Sequence, residues 1–167
     1  MAALTVNIHA TALRLGRAGA VFGAPKNFGV LLLGRSGSGK SDLALRLMAR
    51  GAELLADDRT DLFAARGTLT AKAPGRLAGL IEVRGIGILH LPHAERAPIR
   101  LVVRLGQRPK RLPEAEFWRP PAALALKPRA FPPVISLSAF EASAPEKLLA
   151  AAAAFAQDLH REEVNPI

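Results

Sequence analysis

Residues 28–41 read Phe28-Gly29-Val30-Leu31-Leu32-Leu33-Gly34-Arg35-Ser36-Gly37-Ser38-Gly39-Lys40-Ser41. The first six form a continuous apolar run that ends at a glycine, which is typical of a strand buried on both faces. Beyond Lys40 the apolar residues recur at helical spacing, at Leu43, Ala44, Leu47 and Met48. Gly51 is a natural helix stop. The stretch therefore predicts a buried strand, a glycine-rich turn and a helix in succession.

The turn has the spacing Gly34-x-x-x-x-Gly39-Lys40-Ser41 of a phosphate loop. Its glycines let the backbone turn tightly, so that successive N–H groups point at phosphate oxygens, and the following helix adds its positive N-terminal end. Lys40 is expected to reach the β- and γ-phosphates and the Ser41 hydroxyl to ligate Mg²⁺. The predicted nucleotide site comprises Gly34, Arg35, Ser36, Gly37, Ser38, Gly39, Lys40 and Ser41, with ATP and Mg²⁺ as its ligands.

Two adjacent acids, Asp57 and Asp58, end the short apolar strand predicted for residues 53–56. An aspartate at such a strand end holds magnesium in phosphate-loop enzymes. Because neighbours on a strand point to opposite faces, both can serve one site only if the chain bends there. One could then hold the metal while the other accepts a proton from a substrate hydroxyl. The alternative is a simple turn, since Asp-Asp-Arg-Thr-Asp is good turn chemistry.

Three further candidates are weaker when each is taken alone. Glu82 is the only acid in the apolar stretch 80–88, where a carboxylate is costly unless it is paired or binds a metal. A glutamate on the solvent face of a half-buried strand explains it equally well. His9, at the end of the alternating residues 6–9, is typical of a structural histidine, and Arg111 is one arginine among many.

Composition excludes several classes of protein. The absence of cysteine excludes disulfides, thiolate zinc sites and a cysteine nucleophile, and it suits a reducing cytoplasm. Residues 1–5 lack a signal-peptide pattern, and no apolar run is long enough for a membrane span. The net charge is +9, but the basic residues are scattered, and their densest group, 104–111, has one nearby aromatic, Trp118. We therefore expect a cytoplasmic protein with neither a nucleic-acid nor a membrane partner.

Strands outnumber helices along the chain. A hairpin is predicted around Arg66-Gly67, and the helix that begins at the capping box Ser143-Ala144-Pro145-Glu146 is predicted to run to about His160. Gly16 to Asn27 is predicted to be a flexible loop. Further strands are predicted at residues 6–15, 80–83, 86–91, 99–105 and 135–137. Several of these strands follow one another directly, which favours a mixed sheet with helices packed beside it over a regular βαβ fold.

Taken together, four segments resemble the catalytic domain of bacterial HPr kinase/phosphorylase. They are His9-Ala10-Thr11, the loop Gly34 to Ser41 followed by Asp42-Leu43-Ala44-Leu45, Leu54-Leu55-Ala56-Asp57-Asp58, and Leu80-Ile81-Glu82-Val83-Arg84-Gly85-Ile86-Gly87-Ile88-Leu89. Two more segments, Arg111-Leu112-Pro113-Glu114 and residues 140–148, are similar to the short proteobacterial members.

The resemblance implies an α/β fold, a phosphate-loop-containing mixed sheet, partly barrel-like, with helices packed on one side, as in phosphoenolpyruvate carboxykinase. Residues 1–167 would be a single catalytic domain without the separate N-terminal domain of longer members. The implied activity is ATP- and Mg²⁺-dependent phosphorylation of a serine in an HPr-like phosphocarrier of the phosphotransferase system. Reverse phosphorolysis stays open, because the loop linked to it is poorly matched by Lys127-Pro128-Arg129, and a homo-oligomer stays open as well.

The resemblance also assigns roles to the candidate residues. Lys40 would bind phosphates, Ser41 and Glu82 would hold magnesium, and Asp58 would act as acid and base with Asp57 beside it. His9 and Arg111 would line the phosphoryl site. The sequence leaves open which aspartate takes the proton and which one joins the metal ligands.

Two other functions remain compatible with a phosphate loop. One is a small-molecule kinase, for which the arginines of residues 108–119 could supply a lid. The other is a nucleotide-dependent binding or regulatory module without catalysis. The strand-rich N-terminal part and the segment around Glu82 argue against the first, and phosphoryl transfer to a carrier would exclude the second.

Overall fold

A computed structural model describes residues 2–157. Its strands are β1 Thr5–His9, β2 Thr11–Arg14, β3 Gly29–Leu33, β4 Glu53–Ala56, β5 Arg59–Ala65, β6 Thr68–Lys72, β7 Leu80–Val83, β8 Gly87–His90, β9 Arg96–Leu105 and β10 Val134–Leu137. Its α-helices are α1 Gly16–Gly19, α2 Lys40–Met48 and α3 Ala144–Ala156. Short 3₁₀ turns lie at Gly75–Leu77, Ala122–Leu124 and Pro128–Ala130.

Eight of these strands form one mixed sheet in the order β1-β5-β6-β9-β3-β2-β4, with β10 paired to β9, while β7 and β8 form a separate hairpin. Strand β9 runs parallel to both β3 and β10. Strand β2 is antiparallel to both β3 and β4, so β4 runs in the same direction as β3. The carboxyl ends of β3, β4, β9 and β10 therefore all point in the same direction.

The sheet curls on itself because two very short connections, Ala10 and Asp57-Asp58, join strands from its two sides. We call the region where these two connections meet the seam. Ala10 alone separates β1, at one edge, from β2, near the other edge, and Asp57 and Asp58 alone lead from β4 back to β5. Since consecutive Cα atoms are about 3.8 Å apart, the edges must approach each other. The Ala10 amide donates to the Asp58 carbonyl (3.1 Å), and Thr60 Oγ1 donates to the Ala10 carbonyl (2.9 Å). The partly barrel-like mixed sheet is therefore confirmed.

The core has two layers because both faces of the central strands are buried. Val30 and Leu32 pack into a cluster with all three helices, whereas Leu31 points into the interior of the curl. This alternation explains why β3 reads as an unbroken apolar run rather than an alternating one. The three α-helices of residues 2–157 lie on the same face, as predicted, and α2 carries the phosphate loop at its N-terminus.

The hairpin around Arg66-Gly67 is confirmed, with φ of +50° and +75° at its two turn residues. Two local predictions were wrong. The loop predicted for residues 16–27 begins with the helix α1, and Ser143 stands at the N-cap of α3 without a side-chain capping bond. Glu146, the other half of the predicted capping box, accepts from Arg50 Nε at 2.7 Å instead.

The predicted end of α3 near His160 lies outside the described residues. None of the helices in residues 2–157 combines the length and the apolar character that crossing a bilayer requires.

Candidate active site

The phosphate loop joins the carboxyl end of β3 to the N-terminus of α2, as its sequence predicted. Gly39 has φ +94°, a left-handed conformation that favours glycine. A Cβ atom there would lie 2.7 Å from Ala139 Cβ and 3.1 Å from the Phe140 ring. A Cβ atom on Gly34 would meet Ser38 Oγ and would lie 3.0 Å from the Leu105 carbonyl oxygen. Both glycines are therefore needed for the shape of the loop.

Lys40 is buried within the loop, and its Nζ donates to the carbonyls of Gly34 (2.6 Å) and Arg35 (3.1 Å). Burial lowers the pKa of Lys40 below its ordinary 10.5, while the charges of Asp58 and Asp57 oppose that shift. The ammonium group therefore sits where additional negative charge would be favourable.

Ser38 marks a second place where a ligand would fit. Among the side chains of residues 2–157, its Oγ is the one buried polar atom that lacks a hydrogen-bond partner. An unpaired buried hydroxyl costs about 1–3 kcal/mol, so such a group in a phosphate loop indicates a partner that comes from outside the chain. A cleft of about 450 Å³ opens beside it, between the loop and Gly106 at the end of β9.

Asp57 is buried at the end of β4, with 7% of its surface exposed. Its Oδ1 accepts from Ser41 Oγ (2.7 Å) and Thr11 Oγ1 (2.9 Å), and its Oδ2 accepts from the Glu82 amide (3.4 Å). The seam, the first turn of α2 and β7 thus converge on one carboxylate. These three donors stabilise its charge in a buried position and fix it beside the phosphate loop.

Asp58 follows at a sharp bend. It has φ +64°, and the Arg59 amide donates to the Asp57 carbonyl at 2.7 Å, which closes a three-residue turn. The Asp58 side chain is 71% exposed, and its Oδ1 lies 3.0 Å from His9 Nε2. The chain therefore bends at the two adjacent acids. Because of this bend, the Asp57 carboxylate is buried and the Asp58 carboxylate is exposed to solvent.

Within residues 2–157, the side chains of the two remaining predicted residues, Glu82 and Arg111, make no hydrogen bond or ion pair with the phosphate loop or the aspartates. Glu82 adjoins Asp57 through its amide, but its side chain is exposed, on the opposite face of β7 from the buried Ile81. Arg111 is exposed in the segment after β9, and no hydrogen bond connects it to the cluster in the described part of the chain. No three side chains of His, Asp or Glu within residues 2–157 are grouped as a metal site.

A magnesium ion nevertheless fits the residues that are present. Mg²⁺ is commonly held by one or two carboxylates together with substrate phosphates and water, rather than by a cage of protein ligands. The Ser41 hydroxyl and the Asp57 carboxylate, 2.7 Å apart, would supply the protein part of such a set.

Sequence reasoning missed three residues that shape the site. Thr11 is buried at the start of β2, and its place in the segment His9-Ala10-Thr11 gave no indication of its bond to Asp57. Arg46 gave no signal, and Phe140 stood at the start of the similar segment 140–148 without a role assigned to it. Arg46 holds the segment that contains Phe140, and Phe140 lies against the phosphate loop.

Parts of several known proteins are similar to part of this chain. An HPr kinase/phosphorylase of Lactobacillus acidophilus is 44% identical over 88 residues, which are 48% of this chain and 27% of that protein. One of Verminephrobacter eiseniae is 50% identical over 64 residues, which are 38% of this chain and 20% of that protein. The matched part of the chain thus spans about a quarter or less of the length of these relatives.

A solved structure, described as the Hpr(Ser) kinase/phosphatase from Coxiella burnetii, superposes with a TM-score of 0.65 over 96% of this chain and 99% of that one. At 23% sequence identity this likeness supports the fold alone. The family profile of the HPr Serine kinase C-terminal domain matches residues 18–110, more than half of the chain, and includes the phosphate loop, both aspartates and Glu82. The chain therefore belongs to the HPr serine kinase C-terminal domain family.

Proposed function

We propose that this protein is an ATP- and Mg²⁺-dependent protein-serine kinase that phosphorylates an HPr-like phosphocarrier of the phosphotransferase system. One observation carries the proposal. A phosphate loop lies beside two adjacent carboxylates, one bonded to Ser41 and the other exposed to solvent at 3.0 Å from His9. The names of the related proteins, HPr kinase/phosphorylase, support the protein substrate. Because the proposed reaction consumes ATP, we expect it to take place in the cytoplasm.

The loop would bind the triphosphate through its backbone amides and through Lys40. The Lys40 ammonium donates hydrogen bonds to two carbonyls of the loop itself, and burial lowers its pKa. Phosphate oxygens would add negative charge directly beside this buried cation. The unpaired Ser38 hydroxyl would donate to the same ligand.

Ser41 and Asp57 would hold magnesium, with the exposed carboxylate of Glu82 as the remaining candidate ligand. When bound, the ion neutralises charge on the phosphates. The bond between Ser41 and Asp57 holds both oxygens at the first turn of α2, next to the phosphate loop.

In the proposed transfer, a bond forms between the serine oxygen of the carrier and the γ-phosphorus. The bond from that phosphorus to the β–γ bridging oxygen breaks, and ADP leaves. The hydroxyl proton passes to Asp58, because this carboxylate is accessible while Asp57 already accepts three hydrogen bonds. A positioned base of this kind contributes roughly 10²–10⁴ to the rate.

His9 would orient the Asp58 carboxylate, and Arg111 remains a candidate for the phosphoryl site. The reverse reaction would use the same groups. Inorganic phosphate would then accept the phosphoryl group and leave as pyrophosphate, while Asp58 returns the proton to serine.

The test is to mix the purified protein with the HPr-like proteins of its own organism, ATP and Mg²⁺, and to measure intact masses. We expect one added phosphoryl group on a serine, which is lost with Lys40→Ala and with Asp58→Asn. Asp61→Asn is the matched control, because Asp61 lies three residues further on and contacts Asn7 rather than the site. Addition of phosphate after removal of ATP then tests the reversal.

No mass change on any carrier would overturn the proposal. Transfer to a small alcohol instead would indicate a small-molecule kinase. ATP binding without any transfer would indicate a regulatory module.

A further inference from the structure

An exposed aromatic side chain lies against the phosphate loop. Phe140 belongs to the segment after β10, and 69% of its surface is exposed. Two atoms of its ring lie 3.1 and 3.2 Å from the position that a Cβ on Gly39 would occupy, so the ring packs on the last glycine of the loop. Nothing in the proposed transfer of the phosphoryl group uses this side chain.

The segment that presents Phe140 is anchored by an arginine of α2. Arg46 Nη1 donates to the Ala139 carbonyl (2.5 Å), and Nη2 donates to the carbonyls of Glu141 (2.7 Å) and Ala142 (3.2 Å). The ring is therefore held on the helix that carries the phosphate loop. Holding an aromatic ring in place before binding reduces the entropy that a ligand loses on contact.

The order of the strands gives the phosphate loop two different flanks. On one side of β3 lie β2 and β4, and Asp57 directly follows β4. On the other side lie β9 and β10, and β10 leads to Phe140. The proposed function puts the terminal phosphate near Ser41 and Asp57. The nucleoside end must then leave the loop on the other flank, where the Phe140 ring is exposed.

We propose that Phe140 stacks on the purine base of the bound nucleotide. The inference rests on the proposed function, because it takes the nucleoside triphosphate to be the ligand of the loop. An aromatic face stacks on the base through its π-surface and needs no hydrogen bond to do so. Phe140 thus contributes to affinity for the nucleoside and none to affinity for the phosphate chain.

The test compares equilibrium binding of ATP and of inorganic tripolyphosphate, each with Mg²⁺. Phe140→Ala is expected to weaken ATP binding roughly five- to hundredfold, the range of one base–aromatic stack, while tripolyphosphate binding is unchanged. Phe140→Trp is expected to restore ATP affinity. In a Trp118→Phe background, which removes the only native tryptophan, the fluorescence of this new tryptophan should change with ATP and not with tripolyphosphate.

Phe22→Ala is the matched control. Phe22 is also a partly exposed phenylalanine, but it lies in the loop before β3. That loop leads to the amino end of β3, whereas the phosphate loop follows its carboxyl end. Its loss should leave the binding of both ligands unchanged.

Equal weakening of both ligands by Phe140→Ala would overturn the inference, because the ring would then shape the loop. Unchanged ATP binding would overturn it as well. If the unaltered protein binds neither ligand, the proposed function fails and the inference fails with it. If both bind as expected but no carrier is phosphorylated, the stacking role stands and only the kinase assignment fails.

Discussion

We expect the substitution Asp57→Asn to leave the free energy of unfolding nearly unchanged while it strongly reduces phosphoryl transfer. Asparagine has nearly the same shape, and its Oδ1 can still accept from the Thr11 and Ser41 hydroxyls. Its Nδ2 would face the Glu82 amide across 3.4 Å, where two donors oppose each other. The substitution also removes one of the two negative charges that act on Lys40, while that of Asp58 remains.

The contacts set the size of the expected effect. The lost amide bond is long and costs at most about 1 kcal/mol, and removal of a buried charge offsets part of that cost. We expect the free energy of unfolding of Asp57→Asn to stay within about 1 kcal/mol of the unaltered protein. Asp57→Ala instead leaves the fully buried Thr11 hydroxyl and that of Ser41 without an acceptor, so it should cost about 2–4 kcal/mol. Phosphoryl transfer should fall by roughly a hundredfold or more in both, since the charge stabilisation that a bound metal gives is worth several kcal/mol.

Urea unfolding, followed by the fluorescence of the single tryptophan Trp118, measures the stability of both variants, and the mass assay measures transfer. If Asp57→Asn unfolds as readily as Asp57→Ala, the carboxylate charge itself holds the seam together, and our reading of its hydrogen bonds is refuted. If Asp57→Asn transfers phosphate at the full rate, Asp57 does not ligate the metal.

Three further substitutions test the loop, its anchor and a surface pair. Gly39→Ala should destabilise more than Gly67→Ala in thermal melts; each adds left-handed strain of about 1–2 kcal/mol, but only the former also meets atoms at 2.7 Å. Arg46→Lys loses the fork that binds three carbonyls and should cost about 1–2 kcal/mol in urea unfolding, and an unchanged midpoint would contradict the anchoring role. A hydrogen bond from Arg14 lowers the pKa of Glu53 below its ordinary 4.5. The pair of Arg14 and Glu53 therefore stabilises the folded protein fully above pH 4.5. This stabilisation is lost as the pH falls through the lower pKa that Glu53 has in the folded protein. Unfolding of Glu53→Gln at several pH values should show a deficit under about 1 kcal/mol near neutrality that disappears in acid, and a deficit that grows in acid would contradict this account.

The phosphate loop and its flanking elements were predictable because their signals are local. The apolar run of β3 and the helical spacing of α2 each show their period within about ten residues, and the hairpin at Arg66-Gly67 needs only residues with positive φ. The mixed sheet followed from strands that succeed one another without helices between them.

The curl of the sheet and the details of the caps could not be predicted from residues alone, because they depend on distant partners. Glu146 reads as half of a capping box, but Arg50, 96 positions away, takes its carboxylate. The partly barrel-like form came from the family resemblance. The physical cause of the curl, a single residue between β1 and β2, becomes visible only when the strand order is known.

The adjacent aspartates show how a local pattern and a distant one combine. Strand alternation would send Asp57 and Asp58 to opposite faces, and the turn at φ +64° bends the chain so that both lie at one seam. Left-handed strain at a non-glycine residue costs of order 1–3 kcal/mol and persists where the surroundings impose it. Here the connection from β1 to β2 imposes this conformation on Asp58, because the Ala10 amide donates to the Asp58 carbonyl. The residues on either side of Ala10 contact one carboxylate each: Thr11 contacts that of Asp57, and His9 contacts that of Asp58. The triplet His9-Ala10-Thr11 thus has a physical reason to accompany an Asp-Asp pair. Thr11 binds the carboxylate that is buried beside Ser41, and His9 contacts the one that is exposed to solvent.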